Sequence, residues 1–186
     1  MRKLILCLLF SFSLLTASSQ DYKEDLKRQF LRYTEHLSKK EFPQAVEYIN
    51  PDMFTILPKA QLINVMEQAF NNKEVAFDFQ PPSFLAINDK QTIKGIDYVK
   101  FEYTNIMEMK YKSGEIAPKD STMMLGLLQG QFGEENVSYN TQKDSYAVKV
   151  FKKVIANSKD TKNWKFLVIE ERQKPLLEKI IPKELL

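Results

Sequence analysis

The segment that decides the fold is DYVKFEYTNIMEMKY, which runs from Asp97 to Tyr111. Its alternate residues form two sets, one mostly apolar or aromatic and the other mostly charged or polar. The first set consists of Val99, Phe101, Tyr103, Asn105, Met107, Met109 and Tyr111. This period of two is typical of a long antiparallel strand with one face packed on a core and the other in water.

Shorter segments on either side have the same period. Residues 83–88, 144–155 and 164–170 predict three further strands, and the polar residues 157–163 predict the hairpin between the last two. One face of these last two strands is expected to carry Tyr146, Val148, Val150, Trp164, Phe166 and Val168.

Before residue 73 the apolar residues recur at the helical spacing of three and four. Such a stripe, made of Leu26, Phe30, Tyr33 and Leu37, predicts a first helix over residues 22–38. Pro43 suits the first turn of a short second helix, which Asn50-Pro51 ends. A third helix follows Pro58 and stops near Asn71, with an expected buried stripe of Leu62, Val65, Met66, Ala69 and Phe70.

Two later segments have a weaker secondary-structure pattern. Residues 121–132 are apolar at helical spacing, but Gly126 and Gly130 weaken a helix there, so the pattern leaves the structure open. Residues 176–181 predict a short amphipathic helix that Pro182 ends.

Helices therefore come first and long antiparallel strands follow, an order that predicts an α+β fold with helices on one face of a curved sheet. We find no repeat and no linker that would divide the chain. Residues 20–186 are predicted to form a single globular domain.

The order of elements resembles the nuclear transport factor 2-like superfamily, which includes ketosteroid-isomerase-like and polyketide-cyclase-like proteins. The resemblance rests on the first helix, on Asn50-Pro51-Asp52-Met53-Phe54, on the helix after Pro58 and on strands ending in Trp164-Lys165-Phe166. It implies a cone-like fold in which the helices and the concave sheet face enclose an apolar pocket. Residues 113–140 and the C-terminal helix depart from the minimal pattern, and this leaves the sheet edge and any homodimer surface open.

Residues 1–19 have the three parts of a secretory signal peptide. Arg2 and Lys3 precede an apolar run from Leu4 to Leu15, and small residues follow it. Cleavage is expected before Gln20, so the mature protein would be exported to the periplasm or secreted. The run is too short and wrongly flanked for a membrane-spanning helix.

The signal also accounts for the one cysteine, Cys7. Lipid attachment there is disfavoured because only three apolar residues precede it and Leu6 is bulky. Without Cys7 the mature chain has no disulfide, thiol nucleophile or cysteine metal site. Loss of Arg2 and Lys3 lowers the formal net charge from +3 to +1, which offers no electrostatic basis for binding nucleic acid.

The sequence predicts no catalytic residue, metal site or cofactor. His36 is the only histidine, and no acid is expected at a spacing that would orient its ring. The Glu134-Glu135 and Glu170-Glu171 pairs are interpreted as solvated charges, although Glu170 shares a strand phase with Trp164 and Phe166.

A ligand pocket on the concave face would be lined by Tyr33, Tyr103, Asn105, Met107 and Trp164. Asn105 is notable because a buried amide among apolar neighbours must find a hydrogen-bond partner. The alternative is that these aromatic and methionine side chains are simply the core.

Three functions stay open on this basis. The first is a non-catalytic exported protein that binds a small apolar ligand or a protein partner. The second is an enzyme of the isomerase, dehydratase or cyclase type, and the third is an interaction module with a filled interior. A titratable group with a shifted pKa inside a cavity would favour the enzyme.

Overall fold

The computed structural model describes residues 22–112 and 121–186. The predicted signal peptide and the beginning of the 113–140 segment lie outside the described residues. The described part of the chain is an α+β fold in which N-terminal helices pack on an antiparallel sheet, as the sequence predicts.

The first half of the chain is helical. Helix α1 covers residues 22–38 and α2 covers Phe42–Ala45, which continues as 3₁₀ turns over Val46–Tyr48 and Pro51–Thr55. Helix α3 covers Lys59–Phe70. Asn50 caps the second 3₁₀ turn, because its side-chain oxygen accepts a hydrogen bond from the Asp52 amide at 3.0 Å.

Seven strands follow, with two more helices among and after them. The strands are β1 Val75–Phe79, β2 Ser83–Ile87, β3 Gln91–Ile93, β4 Ile96–Tyr111, β5 Val137–Asn140, β6 Ser145–Ser158 and β7 Lys165–Ile169. Helix α4 covers Ser121–Phe132, and α5 covers Lys174–Leu177. A last 3₁₀ turn covers Lys183–Leu185.

Strands β4 and β6 form the centre of the sheet. They pair antiparallel from Asp97 opposite Ser158 to Met109 opposite Tyr146. Strands β1, β2 and β3 pair with the other edge of β4, and β5 and β7 pair with the other edge of β6. The β3–β4 hairpin turns through Lys94 and Gly95, both at positive φ, which matches the right-handed twist of the strands it joins.

The inner face of the sheet carries the alternate residues predicted from the sequence, and they divide into two clusters. The α1 cluster joins Leu26 and Phe30 to Phe101, Val154 and other buried residues. The α4 cluster joins Leu128 of α4 to residues at the other end of the sheet, among them Met109, Val137, Tyr146 and Val148. Residues 121–132, which the sequence left open, are therefore a helix that covers one end of this face.

The outer face is not uniformly wet. Tyr98, Ile155 and Leu167 on this face are buried under Leu177, Ile181 and Leu185 of the C-terminal segment. The expectation of one packed and one wet face is therefore wrong at this end of β4. Alternation of apolar and polar residues along a strand shows that its two faces differ. It does not show which part of either face a distant segment of the chain buries.

The predicted stripe of α3 is also wrong in part. Val65 is 53% exposed, and no residue of α3 is fully buried. Leu62, Ile63 and Met66 make partial contact with the α1 cluster. Helix α3 thus lies at the margin of the core, where a short apolar stripe need not be buried.

Candidate functional site

The two clusters on the inner face meet at a polar group of side chains. We call the set Tyr33, Tyr103, Asn105, Lys152 and Glu170 the inner-face junction. Tyr103 pairs with Lys152 across β4 and β6, and Asn105 pairs with Val150, so these side chains share one sheet face.

Helix α1 positions the first of these residues. The Tyr33 ring stacks on Phe166 at 6.1 Å between centroids and lies 5.8 Å from the Phe30 ring. Phe30 in turn contacts Tyr103, with their centroids 5.0 Å apart. The two tyrosines are each only 8% exposed, and both belong to the α1 cluster.

The tyrosine hydroxyls remain protonated at neutral pH. Burial, followed by the negative charge of Glu170, raises the pKa of Tyr103 to about 12. Burial also raises the pKa of Tyr33, and the neighbouring Tyr103 adds to this shift. Neither hydroxyl makes a hydrogen bond with another side chain or backbone group of the described residues, so each is a free donor.

Asn105 is the least satisfied member of the inner-face junction. Its side-chain oxygen is buried and has no hydrogen-bond partner within the described part of the chain. A buried acceptor without a donor costs about 1–3 kcal/mol. The Asn157 side-chain oxygen and the Trp164 ring nitrogen are in the same state, and water or a bound molecule can supply the missing partner in each case.

Lys152 and Glu170 form the charged edge of the site. The Lys152 ammonium donates to the Glu170 carboxylate at 2.5 Å. The side chains are 31% and 45% exposed, so solvent screens this pair and it contributes little to stability. Lys152 is not among the residues that the sequence predicts to line a pocket. Its strand phase, shared with Tyr146, Val148 and Val150, nevertheless places it on the inner face.

Met107 and Trp164 do not join the inner-face junction. Met107 is half-buried in the α4 cluster and pairs with Val148 and Phe79. Trp164 is fully buried beside Tyr22, one residue before β7. Because Lys165 pairs with Asn157, and Asn157 with Tyr98, Trp164 is on the order of 20 Å along the sheet from Tyr103.

His36 has an acidic partner that the sequence does not predict. Its Nδ1 lies 2.6 Å from a carboxylate oxygen of Glu41, and its ring lies 5.9 Å from that of Tyr48. The chain turns after α1 and brings Glu41 back to the end of the helix, a contact that helical spacing alone does not predict.

Residues 22–112 and 121–186 contain no cluster of three or more histidine, cysteine or acidic side chains able to hold a metal ion. Nor does any helix in the described ranges have both the length and the apolar character needed to cross a bilayer.

Comparisons with protein-family models, with curated proteins and with solved structures gave no match. The resemblance to the nuclear transport factor 2-like superfamily therefore stays a prediction. No relative assigns a role to Asn105 or to the other residues of the inner-face junction.

Proposed function

We propose that this chain is an exported, non-catalytic binding protein that holds a small, mainly apolar ligand at the inner-face junction. The observation that carries the proposal is the buried side-chain oxygen of Asn105, which has no hydrogen-bond partner among the described residues. Ligand sites are typically apolar surfaces with a few placed polar groups that fix orientation. An amide at the meeting point of two apolar clusters fits that description.

The neighbouring groups define what such a ligand would look like. The Tyr33 and Tyr103 hydroxyls can donate to a carbonyl or hydroxyl oxygen, and Asn105 can accept from a hydroxyl or amide. The partly buried Met107 and Val150 supply apolar contact beside Asn105. A small molecule with one donor, one acceptor and a hydrocarbon body would satisfy all of these groups.

Binding is favoured over proton-transfer catalysis by the state of the titratable groups. The raised pKa values of both tyrosines move them away from neutrality, so they donate hydrogen bonds without losing a proton. The carboxylate in the inner-face junction, Glu170, is paired with Lys152. An isomerase of the resembled kind uses an acidic side chain as base, and here that acid is already engaged.

Export and superfamily membership are parts of the same proposal. Export is supported by the basic start, apolar run and small residues of 1–19, which would give a mature chain beginning at Gln20. Membership of the nuclear transport factor 2-like superfamily is supported by the helices packed on one face of the antiparallel sheet.

Native mass spectrometry of protein purified from the envelope of its own host tests the proposal. The expected spectrum contains a chain that begins at Gln20 and carries a small molecule. Asn105→Leu is the test variant, and Asn157→Leu is its matched control. The Asn157 side-chain oxygen is also buried and without a hydrogen-bond partner in the described part of the chain, but Asn157 lies on the outer face.

Asn105→Leu is expected to melt at the same or a higher temperature than wild type when ligand-free, since it removes an unsatisfied amide. Its occupancy by the ligand should fall about tenfold, the effect of one lost hydrogen bond. Asn157→Leu should retain the ligand. Absence of any ligand on the wild type, or equal retention by both variants, would contradict the proposal.

A further inference from the structure

The inner-face junction is one end of a longer groove that crosses the inner face between the two clusters. Tyr103 and Met109 on β4, and Val148 and Val154 on β6, are buried. The inner-face residues between them are only half-buried, so neither α1 nor α4 covers them fully. We call this strip the inner groove, and with its neighbours on β1 and after β7 it consists of Phe79, Met107, Asn105, Val150, Lys152 and Glu170.

One end of the inner groove is apolar. Phe79 pairs with Met107 across β1 and β4, so the two side chains share the inner face. The ring centroid of Phe79 lies 5.4 Å from that of Phe70 at the end of α3. The Phe70 centroid in turn lies 5.2 Å from that of Phe42 in α2. An aliphatic chain laid over Met107 and Phe79 would remove apolar surface from water.

The other end of the inner groove is polar but carries no net charge. The Lys152 ammonium and the Glu170 carboxylate are 2.5 Å apart, and their charges cancel. The nearby Tyr103 hydroxyl can donate a hydrogen bond, and the buried side-chain oxygen of Asn105, between the two ends, can accept one. These groups suit an uncharged hydroxyl or amide better than an ion, because an ion would add an uncompensated charge at a half-buried site.

We propose that the inner groove binds an uncharged amphiphile, a medium-chain alcohol or amide, in one orientation. Its polar group lies at Asn105 beside Lys152 and Glu170, and its alkyl chain runs over Met107 to Phe79. Two residues along β4 and one strand spacing separate Asn105 from Phe79, a path on the order of 10 Å. The inference rests on the proposed function, because both use Asn105, and it adds the class of the ligand and its direction.

Titration of the mature protein with octan-1-ol, followed by NMR of the Met107 and Val150 methyl groups, tests this orientation. Octane-1,8-diol is the matched probe of the same length, and its second hydroxyl would lie unpaired over Phe79. Octan-1-ol should shift both methyl signals in a saturable way, and the diol should bind at least tenfold more weakly. Equal binding of the two probes, or no saturable shift, would overturn the inference.

Octanoate tests whether the polar group must be uncharged. It has the same chain length as octan-1-ol but carries a negative charge, which would lie beside Glu170. We expect octanoate to bind at least tenfold more weakly than octan-1-ol. Tighter binding of octanoate would refute an uncharged ligand.

Met107→Gln places a polar group of similar size at the apolar end of the inner groove. It should weaken octan-1-ol binding at least tenfold and remove the preference for octan-1-ol over the diol. Met66→Gln is the matched control, because Met66 is also half-buried but lies on α3 against the α1 cluster. It should change binding less than twofold, and thermal unfolding shows whether both variants are folded. Equal weakening by the two variants would refute a specific role for Met107.

This inference and the proposed function fail separately. A small molecule found on the wild type by native mass spectrometry, with no octan-1-ol binding, would refute the amphiphile while the binding function stands. Octan-1-ol binding with the expected preference, on protein that carries no molecule from its host, would support the inner groove and contradict the proposed function.

Discussion

The two ends of the inner sheet face are covered very differently, although the strands beneath them have the same alternating pattern. In the α1 cluster the Phe30 ring lies within 4.9–5.8 Å of five other aromatic rings. In the α4 cluster, the only residue of α4 that is buried is Leu128. An apolar sheet face must be shielded from water, and how closely it is packed depends on the helix that lies on it.

The difference follows from the sequences of the two helices. Helix α1 has large apolar residues on one stripe and charged residues elsewhere, so its docked orientation is well defined. Helix α4, STMMLGLLQGQF, has no charged residue and two glycines. It lacks both a sharply polar face and full helix propensity. We therefore expect the α4 end to open first, and the predictions below test this from the largest effect to the smallest.

Leu26→Ala should destabilise the protein by about 4–5 kcal/mol, because Leu26 is fully buried in the α1 cluster. Leu128→Ala, the matched truncation in α4, should cost about 2–3 kcal/mol, since a loosely covered site can partly collapse. Denaturant unfolding measures both values. An equal or larger loss for Leu128→Ala would show that the two ends are equally well packed.

Asp97→Asn should cost about 1–3 kcal/mol at neutral pH, because it weakens a buried network at the α1 end. The Asp97 carboxylate accepts from Thr92 and Thr161 at 2.6 Å each and from Lys90 at 2.9 Å. Burial opposes ionisation of this group, but these hydrogen bonds outweigh it and hold the pKa of Asp97 below its usual range.

The lowered pKa gives this variant a distinctive pH dependence. The stabilisation from ionised Asp97 is present above the unfolded pKa of about 3.9 and is lost as the pH falls through the lower folded value. The difference in unfolding free energy between wild type and Asp97→Asn should therefore be constant above about pH 5 and shrink below about pH 4. A difference that does not change between about pH 2 and pH 6 would contradict this account.

Gly126→Ala and Gly130→Ala should each stabilise the protein by about 0.5–1 kcal/mol, because an added Cβ meets no described atom within 4 Å and alanine favours the helix. Amide hydrogen exchange in α4 should slow while that in α1 is unchanged. Gly133→Ala is the contrasting variant: its φ is +94° and the new Cβ would lie 3.0 Å from the Asn136 side chain, so it should destabilise. Faster exchange in α4 of Gly126→Ala would show that these glycines are needed for packing.

Much of the fold could be predicted from local pattern. The bounds of α1, the phase of β4 and the shared face of Tyr146 and Val148 all follow from residue periodicity, and the structure confirms them. The short strands β1, β3 and β5 were not predicted, because three to five residues carry too little periodicity and their pairing with β4 or β6 defines them.

The candidate site could be predicted only in part. Tyr33, Tyr103 and Asn105 were identified from helix and strand phase, and the structure brings them to one region of the inner face. Trp164 has the right phase but lies at the far end of the sheet, because strand phase gives the face and not the position along it. The contacts of Lys152 with Glu170, and of His36 with Glu41, depend on segments that meet only in the folded chain.

The sequence by itself determined the α+β order, the antiparallel character of the long strand and the side of it that faces the core. It could do so because alternation and helical spacing are properties of neighbouring residues. Only the tertiary structure decided which helix covers each end of that face and that the C-terminal segment buries Tyr98. It also decided that no group in residues 22–112 and 121–186 makes a hydrogen bond to the Asn105 side-chain oxygen. Those outcomes depend on contacts between residues far apart in the chain, which no local period encodes.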